Sequence, residues 1–367
     1  MEDRNGSIIT SKQLIFIIVG TQIGIRLLYL PREITAKSAE DAWIAMLLSV
    51  VVPIMALYLY DLLGKRMPEM GFTQISQVLF GKFIGSLLTI LFIAYIVIFE
   101  SLVVRIFSEV TKLYLLPQTP LNVIMFMYVF AIVYVGSKGL RVIARLNELM
   151  FYLLLLCFLI LLIPVGQGDI TNILPVGEAG WDKISKGAFM AAHYYAGVGI
   201  IMVLYPLINK KEEILKAGII AISITTMIYV VIIIICELVF GVTSMQNELF
   251  PGLILLKIVQ IPVIERLEFI FLIFWLGMGA RPSINMGFAA SLMLTQLFNL
   301  DEKKYLPYIL VVIGLGIFIM GILPPNLLTV FKFAGYSIYP FYIIGLVYPL
   351  IYNFAAFVRG KKVIKNA

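Results

Sequence analysis

The chain is a succession of long apolar stretches separated by short charged segments, and that spacing limits what it can fold into. Uncharged runs lie between Lys12 and Arg26, Asp41 and Asp61, Lys82 and Glu100, Lys112 and Lys138, and Glu148 and Asp169. They continue between Lys186 and Lys210, Lys216 and Glu237, from Glu268 to Arg281 and beyond, between Lys304 and Lys332, and between Lys332 and Arg359. A hydrocarbon core about 30 Å thick needs roughly 20 apolar residues per helix, so the pattern predicts ten transmembrane helices. Barrel strands would be shorter and would alternate in polarity, which these Leu- and Ile-rich runs do not. Of the 367 residues, 61% are hydrophobic and 13% charged, against about 45–50% and about 25% in soluble domains. That excludes a water-soluble globule, and the high hydrophobicity excludes intrinsic disorder. The expected class is an all-α integral membrane protein, a single transmembrane domain over residues 1–367.

A net charge of +7 raises the question of nucleic acid, but no folded polar region exists to carry a binding face. The basic residues flank apolar runs instead, where they set topology. With the N-terminus inside, seventeen Lys and Arg, from Arg4 to Lys365, fall at cytoplasmic helix ends and nine, including Lys37, Lys183 and Arg266, at the opposite ends. An even number of helices then places both termini in the cytoplasm, with Arg26 and Arg281 left within the membrane. Glu2 and Asp3 precede the first apolar segment and no small-residue cleavage site follows it, so that segment is expected to stay. Cys157 and Cys236 lie inside apolar runs, which excludes a disulfide framework, and one histidine, His193, offers no metal-ligand spacing. Nucleophile motifs, phosphate loops and Gly-rich nucleotide fingerprints are absent from the sequence. Neither enzyme activity nor a metal or other cofactor is expected.

Two runs carry matching interruptions. Helix 1 reads Val19-Gly20-Thr21-Gln22-Ile23-Gly24-Ile25-Arg26 and reaches Pro31; helix 6 reads His193-Tyr194-Tyr195-Ala196-Gly197-Val198-Gly199-Ile200 and reaches Pro206. In each, a Gly-Ile pair stands seven positions before a proline. As helices one and six of ten, they correspond in two five-helix halves, about residues 8–165 and 187–358, and an odd number of helices per half inverts the second. Paired interruptions of this kind point to a binding site near the membrane midplane. Glycine permits unwinding, and lipid cannot satisfy the freed backbone groups, so they must line a cavity or hold a ligand. The start of the half-helix after Gly24 would favour a carboxylate, with Tyr194 and Tyr195 as aromatic walls. Glycines that serve only close helix packing are the competing reading.

Ionisable residues in the bilayer are the other candidates. Arg26 has three readings: a pair with Glu100, attraction of an anionic ligand, or an outward snorkel. Glu100 either faces the cavity or is structural. Arg105 and Glu109 stand at i,i+4 and should pair, Glu148 should join an interfacial ion pair, and Glu237 should be solvated at the outer boundary. In helix 8, Trp275-Leu276-Gly277-Met278-Gly279-Ala280-Arg281-Pro282-Ser283 should kink at Pro282 and let helix 1 approach. Arg281 either replaces a coupling cation or ties helix ends together. His193 either titrates or packs with a hydrogen bond. Two outer connections are long, Asp169 to Lys186 and Gly241 to Ile261; the second, with Glu248 and Pro251-Gly252, should form a short surface helix.

With these residues in view, the chain resembles the B subunit of GerA-type spore germinant receptors, within the amino acid–polyamine–organocation superfamily. The resemblance covers nearly the whole chain. It rests on Ile9-Thr10-Ser11-Lys12-Gln13, Ala39-Glu40-Asp41-Ala42-Trp43-Ile44, Leu204-Tyr205-Pro206, and Tyr339-Pro340-Phe341-Tyr342 followed by Arg359-Gly360-Lys361-Lys362. It implies a LeuT-like fold of ten helices in a five-plus-five inverted repeat. It also implies a germinant, commonly an amino acid, bound between helices 1 and 6 with help from helices 3 and 8, where Glu100 and Trp275 are the candidates. Carried over by position are Thr21, Gln22, Ile23 and Gly24 on helix 1, and Tyr195, Ala196, Gly197 and Val198 on helix 6. Such subunits act with an A subunit and a lipoprotein C subunit in the spore inner membrane. The lysine that some superfamily transporters place in helix 5 has no counterpart between Glu148 and Asp169. A secondary amino acid transporter coupled to protons or sodium is the alternative.

Overall fold

The computed structural model describes residues 8–258 and 267–365. Glu2, Asp3, Arg4 and Arg266, used above for the first-segment and topology readings, lie outside these residues. So do the side chains of Lys361, Lys362 and Lys365 and the end of the Gly241–Ile261 connection.

The described residues are almost entirely helical. The first helix, α1 (Ser11–Gln22), begins at a reciprocal cap: Thr10 Oγ1 accepts from the Gln13 N–H at 3.2 Å, and Gln13 Oε1 accepts from the Thr10 N–H at 3.0 Å. That cap satisfies two of the N–H groups a helix start leaves free. Helical geometry stops at Ile23 (φ −92°, ψ 106°) and Gly24 (φ −145°, ψ −147°) and resumes as a 3-10 turn over Ile25–Leu28. Then come α2 (Leu30–Ser38), with Pro31 in its first turn where no N–H is needed, α3 (Ala42–Ser49) and α4 (Val51–Arg66). The 43-residue α5 (Phe72–Tyr114) leaves helical geometry at Gly81, and α6 (Leu121–Gly136) and α7 (Leu140–Leu162) follow.

The second half opens with α8 (Gly180–Ala192), a 3-10 turn His193–Tyr195, the non-helical Ala196 and Gly197, and α9 (Ile200–Leu204). It continues as α10 (Ile214–Asn247), α11 (Pro251–Ile258), α12 (Leu267–Gly279) and α13 (Arg281–Leu297). Last are α14 (Glu302–Ile322), α15 (Leu327–Tyr336), α16 (Ile338–Tyr342), a π-helical turn Ile343–Val347, and α17 (Tyr348–Lys365).

Among the described residues, eight helical segments are long and apolar enough to cross a membrane, not ten. Two expected spans fall short. One is α1, twelve residues before its interruption, and the other is α6, sixteen residues between Pro120 and the turn after Gly136. The short α2 runs on toward α3 and α4, so length alone assigns Leu30–Arg66 to one segment.

At the centre, α1 packs against α10, α7 and α13, while α13 is enclosed by α5, α14 and α6. Hydroxyls in this interior are satisfied locally. Thr21, Thr89, Ser108, Thr226 and Ser291 each donate to the carbonyl four residues back, which hydrocarbon surroundings require. At one end the start of α1 and the exit of α9 are sewn together: Ile9 N–H donates to Leu207 O at 2.9 Å and Asn209 N–H to Ile9 O at 3.0 Å.

Two peripheral expectations change. The helix α11 forms, but it does not lie on the surface: Leu253, Leu255 and Leu256 are fully buried, and an added Cβ on Gly252 would sit 3.1 Å from the Leu28 backbone. Glu237 is not solvated. Its α10 leaves helical geometry at Gly241 (φ 66°, ψ 163°) and resumes to Asn247, and the segment after α7 bonds beside it through Asp169 N–H and Asn172 Nδ2 to Leu238 O. Both Glu237 carboxylate oxygens are buried, with no hydrogen-bond partner among the described residues. Helix 8 breaks beside Pro282, at Ala280 between α12 and α13, and helix 1 approaches it there as expected, with Gly24 against Pro282; Gly279 also admits Phe107 of α5.

Candidate functional site

The two interruptions meet. Gly197 has φ 109°, a conformation that side-chain-bearing residues avoid, and a Cβ there would lie 2.3 Å from Thr21 Cγ2. The break after α8 therefore lies against the last turn of α1. On the other side of α1, Gly20 makes room for Asn147 of α7, since a Cβ would fall 2.0 Å from Asn147 Oδ1. Gly24 is closed against Pro282 in the same way, at 2.8 Å.

A polar cluster fixes this arrangement. Asn285 Nδ2 donates to Thr21 Oγ1 at 2.9 Å and to Ile17 O at 3.2 Å; Asn147 Nδ2 donates to Asn285 Oδ1 at 2.8 Å and to Ile143 O at 2.9 Å. It ties α1, α7 and α13 together in the dry interior, where a satisfied network specifies geometry and a broken one is costly. Arg281 lies beside it, fully buried; its Nε donates to Met278 O at 3.0 Å, so it ties the α12 end to the α13 start. Neither terminal nitrogen of Arg281 has a hydrogen-bond partner among the described residues.

On the other side of the interruption, Arg26 is buried and does not snorkel. Its guanidinium donates to His193 O at 2.9 Å and Tyr194 O at 3.2 Å, and it faces the rings of Phe99 and Tyr194. Among the described residues it forms no ion pair with Glu100, because the carbonyls at the end of α8 take its fork. Glu100 instead accepts from Ser283 Oγ at 2.6 Å. His193 is hydrogen-bonded to Ser337 Oγ at 2.9 Å and meets Phe99 and Phe341 edge-on. The Tyr194 hydroxyl donates to Glu33, joining the 3-10 turn after α8 to α2. Tyr195 Oη shares a 2.7 Å hydrogen bond with Thr226 Oγ1, and Tyr229 Oη donates to Gln22 O at 2.6 Å.

A cavity of about 30 Å³ adjoins the helix 6 break, lined by Tyr60, Phe92, Tyr195, Gly197, Val198 and Met286 among others. That is room for water but far below the roughly 300 Å³ at which small-molecule pockets begin, so the breaks are closed together in this conformation. Of the expected site residues, Tyr195, Gly197 and Val198 line this cavity, Thr21 lies against Gly197, and Gly24 lies against Pro282. The Gln22 amide is buried without a partner among the described residues. Trp275 stands apart, stacked on Phe271 at 5.0 Å within α12.

Arg105 pairs with Glu109 at 3.0 Å, as spacing predicts, and also donates to Gly321 O at 3.0 Å; Glu148 pairs with Lys12 at 3.6 Å. Sequence reading missed Asn147, Asn285, Glu33 and Tyr229. The two asparagines were available as lone amides inside apolar runs, the kind of group that joins helices in lipid; the partners of Glu33 and Tyr229 are 161 and 207 residues away.

These features define a multi-pass integral membrane protein with a LeuT-like transporter fold. Two solved structures show that likeness: MhsT in complex with L-phenylalanine (TM-score 0.69, 12% identity, 94% of this chain and 87% of that one) and a substrate-bound, outward-open Na+-coupled sialic acid symporter (TM-score 0.68, 13% identity, 93% and 79%). The family described as "Spore germination protein" matches residues 8–327, and the chain belongs to that family. Similar relatives are spore germination protein YndE of Bacillus subtilis (strain 168), 29% identical over 87% of this chain and 88% of the relative, and spore germination protein GerQB of Bacillus cereus, 25% identical over 81% and 82%. Spore germination protein A2 of Bacillus subtilis (strain 168) is 26% identical over 90% of each chain.

Proposed function

We propose that this chain is the germinant-sensing B subunit of a spore germination receptor. It binds a small molecule, an amino acid by preference, between the interruptions of helices 1 and 6, flanked by helices 3 and 8. The observation that carries this reading is the contact of Gly197 with Thr21, which brings the unwound backbone of helix 6 against the last turn of α1, just before the helix 1 interruption. The proposal includes ten membrane passes in a five-plus-five inverted repeat, α1 and α2 forming the first and α8 and α9 the sixth. It places both termini in the cytoplasm, the protein in the spore inner membrane, and A and C subunits as its partners. The ligand binds one conformation better than the other, which is the condition for signalling, and partner subunits read the resulting shift of the outer helix ends.

The second reading, a secondary amino acid transporter, draws on the fold shared with a Na+-coupled symporter and with an amino-acid-bound structure. Purified chain in proteoliposomes separates the two. Saturable binding of a labelled amino acid without gradient-driven accumulation is expected, with binding lost in Gly24→Leu and Gly197→Leu proteins that still fold. Accumulation driven by a proton or sodium gradient would replace the receptor reading with the transporter one, and unchanged affinity in both variants would move the site elsewhere.

A further inference from the structure

The largest cavity described lies outside the junction just discussed. It is a groove of about 660 Å³ between α5, the end of α14 and the α15–α17 segment. None of the residues lining it is charged. Its rim is apolar and open, with Ile98 51% and Leu323 67% exposed, while Phe99, Leu102 and Ile344 on its floor are buried. The serine hydroxyls it contains are already engaged: Ser101 donates to Ile98 O at 2.6 Å and Ser337 is bound to His193 and Ala334 O. Besides its apolar wall the groove carries the tyrosine hydroxyls of Tyr336, on an exposed residue, and of Tyr95, buried without a hydrogen-bond partner among the described residues.

We infer that it holds one acyl chain of a bilayer lipid. The helices that form it cross the membrane, so the solvent at its mouth is hydrocarbon. Its volume suits a narrow occupant rather than a partner helix: a helix about 10 Å wide with a 5.4 Å pitch fills roughly 420 Å³ per turn, and a spanning segment needs five or more turns. The floor also touches the candidate site. Tyr95 and Ile344 line both this groove and the 30 Å³ cavity. Ile344 belongs to the π-helical turn, whose carbonyl accepts from Tyr60 Oη at 2.7 Å; such turns recur where a helix is shaped for function. A lipid chain seated in the groove therefore packs on the wall that closes the cavity.

The test uses the full chain in phosphatidylcholine bilayers containing a phospholipid with a diazirine in one acyl chain, irradiated and mapped by mass spectrometry. Adducts are expected on Phe99, Leu102 or Ile344. They should fall several-fold in Ala94→Trp and Met320→Trp, which fill the groove from exposed rim positions, while adducts on Phe126 and Phe130 of α6 stay constant as the internal standard. Floor adducts that are absent, or undiminished in both variants, would overturn the assignment. Floor labelling by a diazirine fatty acid but not by the phospholipid would overturn the bilayer lipid as its source.

Discussion

At Gly197 one carbon atom decides whether the helix 6 interruption can lie against α1. The backbone there is left-handed and a Cβ would overlap Thr21 Cγ2. Gly197→Ala is expected to destabilise the fold by roughly 1–3 kcal/mol through overpacking, with a further backbone penalty of similar order. Thr21→Ser, which removes the clashing methyl and keeps the hydroxyl that Asn285 uses, should recover the overpacking part alone. Thermal unfolding in nanodiscs measures both. Gly199→Ala is the comparison, since its Cβ would meet Tyr60 and Phe92 at 3.3 and 3.4 Å without a left-handed φ. The asparagines offer a second case at this scale. Asn285→Ala and Asn147→Ala should each cost about 1–3 kcal/mol by stranding the other amide, and the double variant should cost less than their sum; additive losses would mean that the two do not act as one network.

Among the elements, the tie between the 3-10 turn after Gly24 and the end of α8 depends on Arg26 alone among the basic residues there. The guanidinium bridges two successive carbonyls, a fork that an ammonium cannot reproduce. Arg26→Met should speed hydrogen exchange over residues 25–38 and 189–195, and Arg26→Lys should not restore protection. Ser337→Ala removes one neutral bond to His193 and should have the smaller effect, about 0.5–1.5 kcal/mol. Equal exchange in Arg26→Met and the parent chain would show that packing, not this clamp, holds the two segments. The interruptions were legible in the sequence because Gly-Ile and Pro repeat in register. The partners of Arg26 were not: the three readings open to it all sought charge or water, whereas the folded chain presents two backbone carbonyls 167 and 168 residues away.

For the whole molecule, the charge pattern is what the proposed arrangement across the bilayer rests on. In the proposed ten-pass topology, single cysteines replacing Lys37 or Lys183 should react with an impermeant maleimide added outside. Cysteines replacing Lys65 or Lys210 should react only after the membrane is opened; Cys157 and Cys236 are buried and contribute little background. Reaction of Lys65→Cys from outside would reverse the assigned orientation.

Hydropathy by itself determined that this chain lives in a membrane and forms helices, because the solvent has to match the 61% of residues that are hydrophobic. It also marked where helices 1 and 6 lose regularity, since Gly and Pro act on their own backbone and need no partner. Only the tertiary structure decided what those irregularities face. The Gly197–Thr21 contact, the asparagine pair, the buried Glu237 and the inward packing of α11 all join residues distant in the chain, and a run of apolar letters does not say which neighbour a helix face will meet. For the same reason Glu237 read as an exposed end: a charge beside an apolar run marks a boundary only until another segment folds over it.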